Sequence, residues 1–144
     1  MDGYTRHATG CCILVSQFVS VSTKHEGLIC MGATAATSVL IVEDEQLFAH
    51  DLQESLREFG YDVPRIAASA EEAMACIANK CPDVILMDIR IAGPLDGIQT
   101  AAMLKQQCPA IIIYLTAYAD AAMIERAKRT APHGYRTALE YYFG

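Results

Sequence analysis

The chain has 144 residues, of which 53% are hydrophobic and 19% are charged, as is typical of one folded globular domain and not of a disordered segment. The net charge is −6, and the 11 lysines and arginines are scattered along the sequence. Because domains that bind nucleic acid usually carry a clustered basic face, this charge pattern argues against direct contact with nucleic acid.

The first 37 residues lack the periodic pattern of the rest of the chain. Their apolar stretch, residues 11–21, is too short for a membrane-spanning helix. Its surroundings also do not fit a signal peptide. We therefore expect residues 1–37 to be a poorly ordered extension. Met31 is a possible true start, and a chain that began there would lack residues 1–30. We also expect a protein without membrane contact.

Six cysteines are present, but their spacing is typical neither of a disulfide framework nor of a metal site. Cys76 falls in a helical pattern, and Cys81 and Cys108 each precede a proline. We interpret these three as small apolar side chains of the core, since unpaired cysteine is often buried. Unpaired thiols favour a reducing compartment, the cytoplasm.

From residue 38 onward, strand and helix patterns alternate. The segment SVLIV, residues 38–42, is a short apolar run of the kind found in a parallel strand that is covered on both faces. Residues 46–59 then show helical spacing, and Gly60 is placed to end that helix. The predicted inward face of this helix consists of Leu52, Leu56 and Phe59.

The alternation continues to the end of the chain. Further strands are predicted at 61–68, 83–88 and 110–116, with a weak fifth strand at 133–138. Further helices are predicted at 69–80, 98–107 and 120–130. Ser69 and Glu72 have the spacing of a capping box at the start of the second helix. Its predicted inward residues are Ala70, Ala73, Met74 and Ile77. Such alternation predicts a doubly wound α/β fold with a parallel sheet between two helical layers.

Polar side chains follow three of these strands. Glu43 and Asp44 follow the first strand, Asp88 ends the third, and Thr116 ends the fourth. In an open parallel sheet, the carboxyl ends of the strands face one crevice. Neighbouring carboxylates repel one another unless a cation neutralises them, and an all-oxygen set of ligands suits Mg²⁺. Asp88 could then act as the nucleophile that accepts a phosphoryl group, with Thr116 binding its oxygens.

These residues have two other interpretations. A single Asp at the end of a strand is most often a helix cap or an exposed loop residue, but the ordered set argues against coincidence. A metal-dependent phosphohydrolase with an Asp nucleophile would carry D-x-D after the first strand. The segment VEDEQ, residues 42–46, does not provide that spacing.

Three motifs carry a family resemblance: VLIVEDE, VILMDIRIAGPLDGI and IIIYLTAYAD. In their order and spacing, the chain resembles the receiver domain of two-component response regulators over residues 38–138. The resemblance implies a five-stranded parallel sheet of flavodoxin-like strand order 2-1-3-4-5. It also implies an Mg²⁺-dependent phosphoacceptor, capable of self-catalysed phosphotransfer and slow autodephosphorylation, and not an enzyme acting on a separate substrate.

The resemblance assigns roles around the acidic cluster. Asp88 matches the phosphoacceptor and Asp44 the direct Mg²⁺ ligand. Glu43 matches the acid that contacts the ion largely through water, and the backbone carbonyl of Arg90 matches the third protein contact to the ion.

The resemblance also assigns the residues of the conformational switch. Thr116 matches the switch hydroxyl, Ala117 the small residue beside the phosphoryl group, and Tyr135 the switch aromatic. Ala138 occupies the position where the family carries a Lys, and residues 139–144 form a short tail without the usual fifth helix. A degenerate receiver that binds partners without phosphorylation is therefore the alternative.

The implied partners are a histidine kinase or phosphotransfer protein, and a downstream protein target. The sequence identifies neither the kinase nor the target, and it leaves a homodimer open.

Overall fold

The computed structural model describes residues 35–115 and 121–130. Strands and helices alternate in this part of the chain. The strands are β1 (Ser38–Val42), β2 (Asp62–Ala67), β3 (Val84–Asp88) and β4 (Ile111–Leu115). The helices are α1 (Gln46–Glu58), α2 (Ala70–Asn79), α3 (Gly97–Gln107) and α4 (Ala121–Thr130). None of these helices has both the length and the apolar character needed to cross a bilayer.

The strands form one parallel sheet in the order β2-β1-β3-β4. This confirms the predicted doubly wound fold and the 2-1-3-4 part of the predicted order. The predicted fifth strand, the tail at 139–144 and nearly all of the extension at 1–37 lie outside the described residues. Val42 of β1 pairs with Met87 of β3, and Asp88 pairs with Leu115 of β4. The strands therefore end together at one edge of the sheet.

Alternate residues of β1, β3 and β4 supply two separate cores. Strand side chains point to opposite faces in turn, so an apolar strand buries residues on both sides. One face carries Leu40, Ile85, Met87 and Tyr114, which pack with residues of α2, α3 and α4. The other face carries Ile41, Leu86 and Ile113, which pack against Ala49, Leu52 and Leu56 of α1. The sheet is thus fixed from both sides.

Helix α1 ends as predicted, but one of its predicted inward residues was wrong. The N–H of Gly60 donates to the carbonyl of Arg57, and that of Tyr61 to the carbonyl of Leu56, a Schellman arrangement that needs the positive φ of +89° at Gly60. Phe59 was predicted to face inward, but it is 53% exposed. The helix ends at Glu58, so the helical spacing no longer directs the Phe59 side chain toward the core.

Helix α2 begins at the predicted cap. The Ser69 hydroxyl accepts a hydrogen bond from the Glu72 N–H at 3.3 Å. In a capping box, the Glu72 carboxylate would accept from the N–H of Ser69. Here it accepts from the N–H of Ala68, one residue earlier, at 2.8 Å. Of the predicted inward residues, Ala70, Ala73 and Ile77 are buried, and Met74 packs on the core while partly exposed.

The prediction that Cys81 and Cys108 are unpaired was wrong. The two residues form a disulfide with a Cα–Cα distance of 5.8 Å, within the range that a disulfide spans. Val84 of β3 pairs with Ile111 of β4, and each cysteine lies three residues before its strand, so the strand register brings the two together. Cys76 is free and partly buried, as predicted. The disulfide between Cys81 and Cys108 weakens the argument that unpaired thiols indicate a reducing compartment.

Candidate functional site

Three carboxylates meet at the carboxyl edge of the sheet. Glu43 and Asp44 follow β1, and Asp88 is the last residue of β3. Each of the three residues has one carboxylate oxygen in this cluster, and these three oxygens lie within 4.8 Å of one another. Glu43 is buried, Asp88 is partly buried and Asp44 is exposed. The structure therefore brings together the acids that the sequence predicted at this edge, in a cluster open to solvent on one side.

Backbone hydrogen bonds fix the two less exposed acids. The N–H of Glu43 donates to the carbonyl of Ala67 at 2.8 Å and so extends the pairing of β1 with β2 by one residue. Its Oε1 accepts from the N–H of Glu45 at 3.0 Å. Oδ1 of Asp88 accepts from the N–H of Arg90 at 3.2 Å. Both side chains are thereby directed toward the shared edge.

Two carboxyl groups of this cluster, those of Glu43 and Asp88, have raised pKa values. Burial raises the pKa of Glu43 from 4.5 to about 8, and the neighbouring charges of Asp88 and Asp44 add to the increase. Burial also raises the pKa of Asp88, although its hydrogen bonds from Arg90 and Glu43 act in the opposite direction. The physical cause is the cost of placing like charges together in a site partly removed from water. A cation would relieve that cost.

Metal-free protein is therefore expected to lose stability as the pH rises from about 5 to 8. The folded state keeps a proton on Glu43, whose pKa is about 8, while the unfolded chain releases it near its ordinary value. One proton that the folded state holds and the unfolded chain releases lowers the free energy of unfolding by up to about 1.4 kcal/mol per pH unit. Urea unfolding of the wild type and of Glu43→Gln, in chelator, measures this slope. Equal slopes in the two proteins would contradict the assignment of the proton to Glu43.

The first residue of α3 lies directly against the strand end that carries Asp88. The N–H of Gly97 donates to the carbonyl of Ile89 at 2.8 Å. A Cβ at Gly97 would lie 1.9 Å from the carbonyl oxygen of Asp88, so only glycine fits. Asp96 caps the helix: its side chain accepts from the N–H of Gln99, and its own N–H donates to the Gln99 side chain. Sequence reasoning missed these residues, although the spacing of Asp96 and Gln99 is a capping-box signature.

Several predicted site residues lie outside the described part of the chain. These are Thr116, Ala117, Tyr135 and Ala138. Leu115, which precedes Thr116 in the sequence, pairs with Asp88. Arg90 is exposed, and its N–H contacts Asp88. The role of its carbonyl as a metal ligand stays a prediction.

The sequence profile of the response regulator receiver domain matches residues 39–135. The chain belongs to this family. The receiver is 35% identical over 103 residues to the transcriptional regulatory protein PdtaR of Mycobacterium tuberculosis, covering 72% of the chain and 50% of that protein. It is 33% identical over 91 residues to the phyllosphere-induced regulator PhyR of Methylorubrum extorquens, covering 62% of the chain and 34% of that protein. The chain therefore spans half or less of the length of these curated relatives.

Solved receiver structures share the fold. The signal receiver domain of a modulated diguanylate cyclase from Desulfovibrio desulfuricans is 42% identical, with a TM-score of 0.65 over 72% of this chain and 82% of that one. A CheY-like receiver domain protein from Methanospirillum hungatei is 25% identical, with a TM-score of 0.66 over 72% and 82% of the two chains. These similarities agree with the four-stranded parallel arrangement of the described residues.

Proposed function

We propose that this receiver accepts a phosphoryl group on Asp88 from the phosphohistidine of a histidine kinase or phosphotransfer protein, and that Mg²⁺ is required. The observation that carries the proposal is the cluster of Glu43, Asp44 and Asp88, whose carboxylate oxygens lie within 4.8 Å of one another. The ion pairs among the described residues, Arg126–Asp96 and Lys128–Glu125, do not involve this cluster. Its all-oxygen chemistry fits Mg²⁺.

The proposed reaction is a direct transfer between side chains. A carboxylate oxygen of Asp88 forms a bond to phosphorus while the phosphorus–nitrogen bond of phosphohistidine breaks. The imidazole nitrogen keeps the electron pair of the broken bond. The other ring nitrogen of the phosphohistidine carries a proton during the transfer, so the products are an aspartyl phosphate and a neutral histidine. Asp88 must be ionised to attack, which is why a group that lowers the local negative charge favours the step.

Each residue of the cluster has a distinct proposed part. Asp44 would bind Mg²⁺ directly and Glu43 largely through water, while the Arg90 carbonyl supplies a further oxygen. When bound, the ion neutralises the acids and the phosphoryl oxygens. The hydrogen bond from the Arg90 N–H to Oδ1 of Asp88 orients the nucleophilic carboxylate.

The switch residues are proposed on sequence position. Thr116 would bind a phosphoryl oxygen, Ala117 would leave room for the group, and Tyr135 would change position with Thr116. The modified receiver would then present a different surface to a downstream protein target. The proposal covers residues 38–138 as the receiver unit, acting in the cytoplasm.

Acetyl phosphate with Mg²⁺, followed by intact-mass measurement, tests the proposal. We expect one phosphoryl group per chain in the wild type, none in Asp88→Asn, and strongly reduced uptake in Asp44→Asn. Asp62→Asn is the matched control, because Asp62 is an exposed acid at the opposite end of the sheet. Uptake that is unaffected by Asp88→Asn would overturn the proposal.

The same measurement separates the alternative function. Ala138 stands where the family carries a Lys, whose ammonium pairs with the phosphoryl group, and this substitution favours a degenerate receiver. A degenerate receiver would take up no phosphoryl group under any of these conditions. Its partner binding would be the same with and without acetyl phosphate.

A further inference from the structure

An ion pair connects helix α4 to the residue that caps helix α3. Nη2 of Arg126 donates to Oδ2 of Asp96 at 2.8 Å. The Asp96 side chain is 31% exposed and the Arg126 side chain 48% exposed. The pair joins residues 30 positions apart in the sequence, so it connects two elements and does not act within one helix.

The carboxylate of Asp96 is held in a single orientation. Its Oδ1 accepts from the N–H of Gln99 at 2.8 Å, and its own N–H donates to Oε1 of Gln99 at 3.0 Å. The hydroxyl of Thr100 donates to the carbonyl of Asp96 at 2.8 Å. One carboxylate oxygen thus caps α3, and the other faces Arg126. Movement of the α3 cap therefore moves the partner of Arg126.

The cap is in turn packed against the strand end that carries the candidate phosphoacceptor. Gly97 follows Asp96, and its N–H donates to the carbonyl of Ile89 at 2.8 Å. There is no room even for a Cβ between Gly97 and the carbonyl oxygen of Asp88. A continuous set of contacts therefore runs from Asp88 through Gly97 and Asp96 to Arg126.

Helix α4 has few buried side chains of its own. Of its ten residues, Ala127 is the buried one, and Met123 packs on the core while partly exposed. The hydroxyls of Thr130 and Tyr114 share a hydrogen bond at the end of the helix. Because the helix buries so little of its own surface, a charged contact of modest strength can affect its position.

We propose that Arg126 is a positioning residue that couples the acidic cluster to α4 through Asp96. Binding of a phosphoryl group at Asp88 then changes the environment of α4 by way of the α3 cap. The inference rests on the proposed function and adds to it the route by which the signal leaves the site. The contacts alone establish adjacency, and energetic coupling is what the experiment measures.

Amide NMR spectra with beryllofluoride, a phosphoryl mimic, and Mg²⁺ test the coupling. In the wild type we expect shifts both near Asp88 and along residues 121–130. In Arg126→Gln and in Asp96→Asn, which keeps a capping oxygen, we expect the shifts near Asp88 to persist and those of α4 to fall below about half. The double variant should match the single ones, and Arg126→Lys should restore part of the response.

Glu125→Gln is the matched control. Glu125 lies on the same helix and pairs with Lys128 within α4 at 3.0 Å, so its loss removes an ion pair without separating two elements. This variant should respond as the wild type does. A full α4 response in both Arg126→Gln and Asp96→Asn would overturn the inference while leaving the proposed function intact. No shift near Asp88 in the wild type would overturn both.

Discussion

Replacement of Gly97 with Ala is expected to lower the free energy of unfolding by about 3 kcal/mol or more. The added Cβ would lie 1.9 Å from the carbonyl oxygen of Asp88 and 2.8 Å from its carbonyl carbon. Both are backbone atoms, so no side-chain rotation can relieve the overlap. Either the first turn of α3 or the end of β3 must shift, and phosphoryl uptake at Asp88 should fall with it.

Gly93→Ala is the control for this substitution. Gly93 lies in the loop that precedes α3 and has a φ of +97°, but a Cβ there would meet nothing within 4 Å. Only the cost of a left-handed backbone applies, about 1 to 2 kcal/mol. The free energies of urea unfolding of the two variants separate the cost of steric overlap, in Gly97→Ala, from the cost of backbone strain, in Gly93→Ala. A Gly97→Ala protein as stable as Gly93→Ala would show that β3 and α3 separate easily at this point.

Reduction of the Cys81–Cys108 disulfide is expected to lower the free energy of unfolding by about 3.5 kcal/mol, because the bond closes a loop with a sequence separation of 27. The bond constrains the unfolded chain more than the folded one, where the register of β3 and β4 already holds the residues together. Urea unfolding with and without dithiothreitol measures the difference. Cys81→Ser should have the stability of the reduced wild type in both conditions.

Cys76→Ser provides the comparison for the loss of a thiol alone. Cys76 is free and packs partly buried against the same core, so this variant should keep its sensitivity to dithiothreitol. Alkylation of native protein should label Cys76 and leave Cys81 and Cys108 protected until reduction. Labelling of all three before reduction, with no effect of dithiothreitol on unfolding, would contradict the disulfide.

The sequence predicted those features that depend on local patterns or on a general property of parallel sheets. The apolar runs that end at Val42 and Met87 predicted buried strands. The common edge of a parallel sheet then placed Glu43, Asp44 and Asp88 together. The structure shows that edge and that cluster. The local spacing of Ser69 and Glu72 likewise predicted the start of α2.

The features that the sequence did not predict depend on contacts between distant residues. The pairing of Cys81 with Cys108 follows from the register of β3 and β4, which no spacing along the chain specifies. The contact of Gly97 with Asp88 depends on how closely α3 approaches the end of β3. Phe59 fits the helical spacing of Leu52 and Leu56, which predicted that it is buried. The helix ends one residue earlier, at Glu58, and the spacing does not show where a helix ends.

The most direct test of the central claim is to locate the phosphoryl group on the chain. Borohydride converts an aspartyl phosphate to homoserine, and peptide mass spectrometry identifies the converted residue. After treatment with acetyl phosphate, we expect homoserine at position 88 when Mg²⁺ is present and none when a chelator replaces it. Homoserine at another acidic residue, or none at all in the presence of Mg²⁺, would contradict the assignment of Asp88 as the phosphoacceptor.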